Sequence, residues 1–181
     1  MRNPLAIGFG IYPAIKLTIM KYIFKTLVLL LLVSAIVSAQ GPAKTIPEFN
    51  FFKLNKNSFT NKDLAPGKML FFVFFDTDCD HCQHGMQYIS QHYQEFKKTA
   101  LYLITLDSQE KIAGFMNKYG NNLKDKKNVT ILQDPKYEFM RKFRPIKYPS
   151  IFLYSAKKEL IMYDDNEQNL FKFLKQINKA G

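Results

Sequence analysis

Met69-Leu70-Phe71-Phe72-Val73-Phe74-Phe75, followed directly by Asp76-Thr77-Asp78-Cys79-Asp80-His81-Cys82, is the stretch that decides the fold. Seven apolar residues in a row without alternation, with Pro66-Gly67 before them and an acidic turn after them, predict a strand buried on both faces. Beyond the cysteines, Met86, Ile89, His92-Tyr93 and Phe96 recur at helical spacing, which predicts a helix from Asp80 to about Lys98. Both cysteines therefore fall where a buried strand gives way to a helix.

Working outward, Leu101-Tyr102-Leu103-Ile104-Thr105-Leu106 predicts a second buried strand. Asp107-Ser108 then caps a helix over 109–119, which Gly120-Asn121-Asn122 ends. Val129-Thr130-Ile131-Leu132 reads as a short strand, and Asp134-Pro135 as the opening of a brief helix carrying Tyr137, Phe139-Met140 and Phe143. Residues 150–154 and 159–163 flank a lysine-bearing turn and predict a hairpin; residues 167–179 predict a closing amphipathic helix. Upstream, residues 46–51 read as an edge strand or extended arm, because Pro47 has no N–H for a central ladder, and residues 58–64 as a short turn. The order gives an α/β domain with a central mixed sheet flanked by helices.

The first forty residues stand apart. Lys21 and Lys25 precede an apolar run over 26–37 that ends in Val37-Ser38-Ala39, the pattern of a secretory signal peptide cut after Ala39. The run is shorter than the roughly 20 residues a spanning helix needs. The expected division is a signal peptide over 1–39, with Met20 as the true start, and a domain over 40–181; membrane attachment would come only through an uncleaved signal. The chain of 181 residues carries a net charge of +11; without residues 1–39 it holds 22 basic and 15 acidic residues, a net +7. The lysines are scattered rather than clustered, so they read as a solvated surface and not as a nucleic-acid or membrane patch. With 47% hydrophobic residues, 17 Phe and 10 Tyr, the chain has ample material for one packed core, and disorder is excluded.

Cys79 and Cys82 are the two cysteines of the chain. In an exported protein a lone pair could be a structural disulfide, but a loop this short removes little chain entropy, so redox chemistry is favoured. Cys79, at the first turn of its helix, meets partial positive charge and free N–H groups, both of which stabilise a thiolate. Cys82, one turn on, is the buried resolving thiol. The pair then cycles between dithiol and Cys79–Cys82 disulfide through a mixed disulfide on Cys79. His81 favours the dithiol by stabilising a Cys79 thiolate, while Asp78 and Asp80 oppose it.

These features resemble the thioredoxin superfamily, and within it the exported bacterial TlpA/ResA-like branch of thiol–disulfide oxidoreductases. Ile46-Pro47-Glu48-Phe49 is similar to the entry arm of that branch, Asp63-Leu64 with Gly67-Lys68 to its segment before the first central strand, and Tyr148-Pro149-Ser150 to its cis-proline loop. The resemblance runs from Thr45 to Lys179. It implies a thioredoxin-like fold, a cis Pro149 whose preceding backbone pairs with a substrate chain beside Cys79, and no cofactor. It further implies a periplasmic or otherwise exported enzyme, with protein thiols or disulfides as substrates, a redox partner and no nucleic acid. Since His81 and the two aspartates act in opposite senses, the redox poise is expected between about −270 mV for thioredoxin and about −120 mV for a strong oxidant. Three positions depart from the pattern. Asp78 stands where thioredoxins have Trp, Val73 where a buried acid often sits, and Gly85 where the branch carries a glutamate. Asp76, Asp78, Asp80 and His84 remain as candidate proton acceptors for Cys82.

Two rival chemistries use the same segment. Cys79, Cys82, His81 and His84 are soft and borderline donors within six residues, the makings of a copper- or zinc-binding metallochaperone. Such proteins commonly draw a further ligand from a distant histidine, and no histidine follows His92. A peroxidatic Cys79 would want proline and threonine ahead of it, and Thr77 alone is near.

Overall fold

The apolar run forms the middle of a seven-stranded sheet in the computed structural model, which describes residues 19–28 and 41–179. The chain separates into two units, Met1–Gln40 and Gly41–Gly181. In the first, residues 19–28 are helical (α1) and carry exposed Ile19, Met20, Tyr22, Ile23 and Phe24. The remainder of the predicted signal, with its cleavage point, lies outside the described residues. Among those described, no helix is long and apolar enough to cross a membrane.

In the second unit the strands are β1 (Asn50–Lys53), β2 (Ser58–Thr60), β3 (Leu70–Phe74), β4 (Ala100–Thr105), β5 (Val129–Gln133), β6 (Ser150–Tyr154) and β7 (Leu160–Asp164). Their order in the sheet is β2-β1-β5-β4-β3-β6-β7. β3, β4 and β5 are parallel, while β6 and β7 on one side and β1 and β2 on the other run antiparallel to their neighbours. The helices are α2 (Asp80–Gln91), α3 (Tyr93–Phe96), α4 (Gln109–Lys118), α5 (Glu138–Phe143) and α6 (Leu170–Lys179). The mixed sheet flanked by helices is the predicted α/β, thioredoxin-like architecture.

The absence of alternation in β3 has a direct cause. Phe71, Val73 and Phe75 point into one core with Met86 and Ile89 of α2, Phe115 of α4 and Phe173 of α6. Leu70, Phe72 and Phe74 point into a second core with Phe139 and Phe143 of α5, Phe49 and Phe51. A strand covered on both faces has no polar side to display.

The boundaries differ from the sequence expectation at four places. Asn50–Lys53 is not an edge strand: β2 lies outside it, built from a segment expected to be a turn. Pro47 precedes the ladder, in an arm tied down by Asn61, whose Oδ1 accepts the Phe49 N–H at 2.9 Å and whose Nδ2 donates to the Pro47 carbonyl at 2.9 Å. The predicted helix over 80–98 breaks at His92, whose ring stacks on Tyr88 and pairs with Glu95 at 2.8 Å. The brief helix after Asp134 begins at Glu138, because Tyr137 takes a left-handed φ of 56° and the buried Asp134 carboxylate accepts the Phe139 N–H at 2.7 Å. The closing helix begins as a 3-10 turn, Glu167–Asn169, before α6.

Candidate active site

Beyond β3, Phe75 keeps a ladder bond to the Ile104 carbonyl at 3.0 Å, and then the chain turns. Asp76 Oδ1 accepts the Asp78 N–H at 2.8 Å, an Asx turn that reverses the backbone toward α2. The Thr77 N–H donates to Asp107 Oδ2 at 2.9 Å, which fastens the turn to the loop after β4. Cys79 is left as the N-cap of α2, with φ −88° and ψ 118°, and its Sγ accepts the Cys82 N–H at 3.3 Å. A sulfur in the place of a capping oxygen receives one backbone donor of the first turn.

The two thiols are unequal. Both are free thiols here; Cys79 is half-buried and Cys82 is 2% exposed. Burial pushes the Cys82 thiol far up, with the hydrogen bond and charge of Cys79 and the Asp76 carboxylate adding to it, while the Asp76 backbone opposes them. Of the four candidate proton acceptors, Asp78 is engaged by the Lys111 ammonium at 2.6 Å, and Asp80 and His84 lie exposed on α2. Asp76 is the one whose charge acts on Cys82.

That shift has a consequence for folding. A thiol whose pKa is higher in the folded state than in the unfolded chain contributes stability below the ordinary thiol range of about 8.5–9, and loses it as pH rises beyond. The dithiol form is expected to weaken above pH 9 by as much as about 1.4 kcal/mol per pH unit relative to the disulfide form, which has no thiol to titrate. Urea midpoints of the two forms between pH 7 and 10 check this; parallel curves would refute it. The buried tyrosines affect both forms alike and cancel in the difference.

The second wall of the site comes from β6. Phe74 pairs with Ser150, so the residues preceding Ser150 lie beside the turn that carries the cysteines. The Tyr148–Pro149 bond is cis, the geometry the family resemblance implies, and Pro149 is buried. Ser150 Oγ donates to the Lys147 carbonyl at 2.7 Å and shares a 3.0 Å bond with the Tyr163 hydroxyl, which accepts the Ile146 N–H at 3.0 Å. Burial pushes the Tyr148 hydroxyl up to about 12, with the charges of Asp76, Asp107 and Cys82 contributing. Tyr148 thus stands in the field of the cysteine turn, with its ring 4.8 Å from that of Phe74.

His81 is engaged by a carboxylate from a distant element. Its Nδ1 lies 2.9 Å from Glu167 Oε1, on the turn between β7 and α6. No local pattern links Glu167 to His81, 86 residues before it; the one trace is Gly85, the glycine where the branch carries a glutamate. A Cβ on Gly85 would stand 3.2 Å from Glu167 Cβ, so the turn packs onto α2 where that side chain is missing. A cleft of about 260 Å³ opens between His81, Lys147-Tyr148 and residues 165–168. Among the described residues, no three His, Cys, Asp or Glu side chains converge as a metal site.

A paired thiol capping a helix beside a cis-proline loop, on this sheet, makes the chain a thioredoxin-like protein. It belongs to the AhpC/TSA family, whose model matches residues 42–163. It is similar to the thiol-disulfide oxidoreductase ResA of Bacillus thuringiensis (strain Al Hakam), 32% identical over 80 residues that cover 42% of this chain and 46% of that one. The chain thus spans about half the length of the curated relatives it matches. Among solved structures, a thiol-disulfide oxidoreductase from Bacteroides fragilis superposes with a TM-score of 0.60 at 17% identity, covering 74% of this chain and 99% of that one. A secreted disulfide oxidoreductase of Mycobacterium tuberculosis superposes at 0.57 with 18% identity, covering 71% and 95%. At these identities the superpositions show the fold alone.

Proposed function

We propose that this chain is an exported thiol–disulfide oxidoreductase that exchanges disulfides with protein substrates. Cys79 is the attacking thiol, Cys82 the resolving thiol, Pro149 the substrate-loop residue and His81 the group that sets the poise. The observation that carries this reading is the asymmetry of the pair: Cys79 Sγ accepts the Cys82 N–H at the start of α2, while Cys82 is enclosed and its thiol held protonated. The half-buried sulfur is the one a substrate reaches. The enclosed one is reached only by Cys79, which is what resolution of a mixed disulfide requires. The relatives named thiol-disulfide oxidoreductase ResA support the chemistry. The lysine-led apolar run over 26–37 supports removal of residues 1–39 on the way out.

In the test, the full chain is equilibrated across glutathione redox buffers with metal chelated, and the Cys79–Cys82 dithiol is counted by alkylation. A reversible two-electron transition is expected, with a midpoint between about −270 and −120 mV. A pair that never oxidises reversibly, or does so only after metal is stripped, would defeat the proposal in favour of metal binding.

A further inference from the structure

The carboxylate that meets His81 is held by more than chance proximity. Its side chain is 10% exposed against 70% for His81. Asn166 caps its 3-10 turn by accepting the Gln168 N–H at 3.0 Å. Asp164, at the end of β7, accepts from the Asn166 N–H at 3.0 Å and from Asn169 Nδ2 at 2.9 Å. Gly85 leaves the room into which Glu167 packs. The turn, the strand end and the glycine together aim one enclosed carboxylate oxygen at one ring nitrogen.

A carboxylate only accepts hydrogen bonds, so Nδ1 carries the proton in this contact, and in the neutral ring Nε2 is the free acceptor. The exposed ring borders the cleft, whose lining includes Lys147 and Tyr148 just before Pro149. Tyr148, and Lys147 with Asp165, which pair at 3.5 Å, line that cleft with it; along its own segment its neighbours are Asp80 and Cys82, with Cys79 two positions before it at the helix cap.

We propose that Glu167 is a positioning residue for disulfide exchange: it fixes His81 as the Nδ1–H tautomer, so that Nε2 carries the proton exchanged with sulfur at Cys79. This rests on the oxidoreductase reading above and extends it. In the reducing direction Cys79 gives its proton to Nε2 and attacks a substrate disulfide. The Cys79–substrate S–S bond forms, the substrate S–S bond breaks, and the released sulfur takes the proton from Nε2. Cys82 then gives its own proton to the Asp76 carboxylate and attacks the Cys79 sulfur. The Cys79–Cys82 disulfide closes, the second substrate sulfur leaves and takes a proton from solvent through Nε2, and Asp76 returns its proton to solvent. Two electrons and two protons pass to the substrate; oxidation runs the same steps in reverse.

Long-range proton–nitrogen NMR of the reduced full chain reads the His81 tautomer, which is expected to be Nδ1–H. Glu167→Gln places an amide donor at the same point and is expected to turn the ring toward Nε2–H. Single-turnover exchange with glutathione disulfide is expected to slow on the order of tenfold in this variant, part of the roughly 10²–10⁴ that positioned proton transfer contributes. Its pH profile should shift, and Glu167→Asp should recover part of the rate. In a His81→Ala background, Glu167→Gln should change nothing further. An Nε2–H tautomer in the unaltered chain, an unchanged rate in Glu167→Gln, or an equal loss without His81 would each overturn the inference while leaving the oxidoreductase reading intact. Absence of exchange in the unaltered chain would overturn both.

Discussion

Cys79→Ser is expected to abolish disulfide exchange, and Cys82→Ser to stop the chain as a mixed disulfide with its substrate. The two substitutions are chemically identical, so any difference between them comes from position. Cys79 caps α2, half open to solvent; a hydroxyl there is no nucleophile at neutral pH and forms no S–S bond, so turnover should fall by roughly 10³-fold or more. Cys82 is enclosed within the core beside Met86 and Ile89. Removing its sulfur leaves the first exchange possible and the second impossible. Incubation of each variant with a disulfide-bonded substrate, followed by non-reducing electrophoresis and mass measurement, should show an adduct on Cys82→Ser alone. Two active variants, or an adduct on Cys79→Ser instead, would sink the assignment of roles.

Phe72→Ala is expected to cost about 3–5 kcal/mol, the range for deleting a large aromatic from a packed core. Phe72 is fully buried, and the rings of Phe49, Tyr102, Phe139, Phe143 and Tyr154 surround it at centroid distances from 4.8 to 6.5 Å. These neighbours come from the entry arm, two strands and α5, so no single element can close over the void. Against a typical total stability of 5–15 kcal/mol this is a large fraction, and the melting midpoint should fall by about 10 °C or more. Phe171→Ala, at a ring 43% exposed on α6, should stay within about 0.5 kcal/mol. Urea unfolding of both variants in the dithiol form checks the contrast; a loss under 1 kcal/mol at Phe72 would mean the cluster repacks.

The strands and helices of the centre were legible because their signals are strong and local. A seven-residue apolar run is hard to misread, and so is a CxxC pair between that run and a helical period. The edge was harder. Ser58-Phe59-Thr60 pairs with β1 through only three residues, too few for alternation to register, with one buried side chain, Phe59. Tyr137 hid the true start of α5, since a left-handed residue after Asp134-Pro135 delays a helix that the sequence opens at once. Within the site, Cys79, Cys82, His81 and Pro149 were named from sequence, and the structure brings the cysteine turn and the proline loop together on neighbouring strands. Asp76 was one of four equal candidates until geometry gave Asp78 to Lys111 and left Asp80 and His84 exposed. Glu167 belongs to a turn brought to α2 by the whole length of the fold, and local pattern carries no trace of such a pairing beyond the vacancy at Gly85.

The Phe74–Ser150 register carries a consequence for durability. The cysteine turn leaves one end of that pairing and the proline loop enters at the same end, so the two halves of the site are continuations of a single ladder in the middle of the sheet. Fluctuations that open surface loops draw on the weakest parts of a protein, whereas central strands part only when the whole domain does. The spacing between thiol and proline is therefore guarded by the last structure to melt, and a chain that has kept its core has kept its reactive geometry as well.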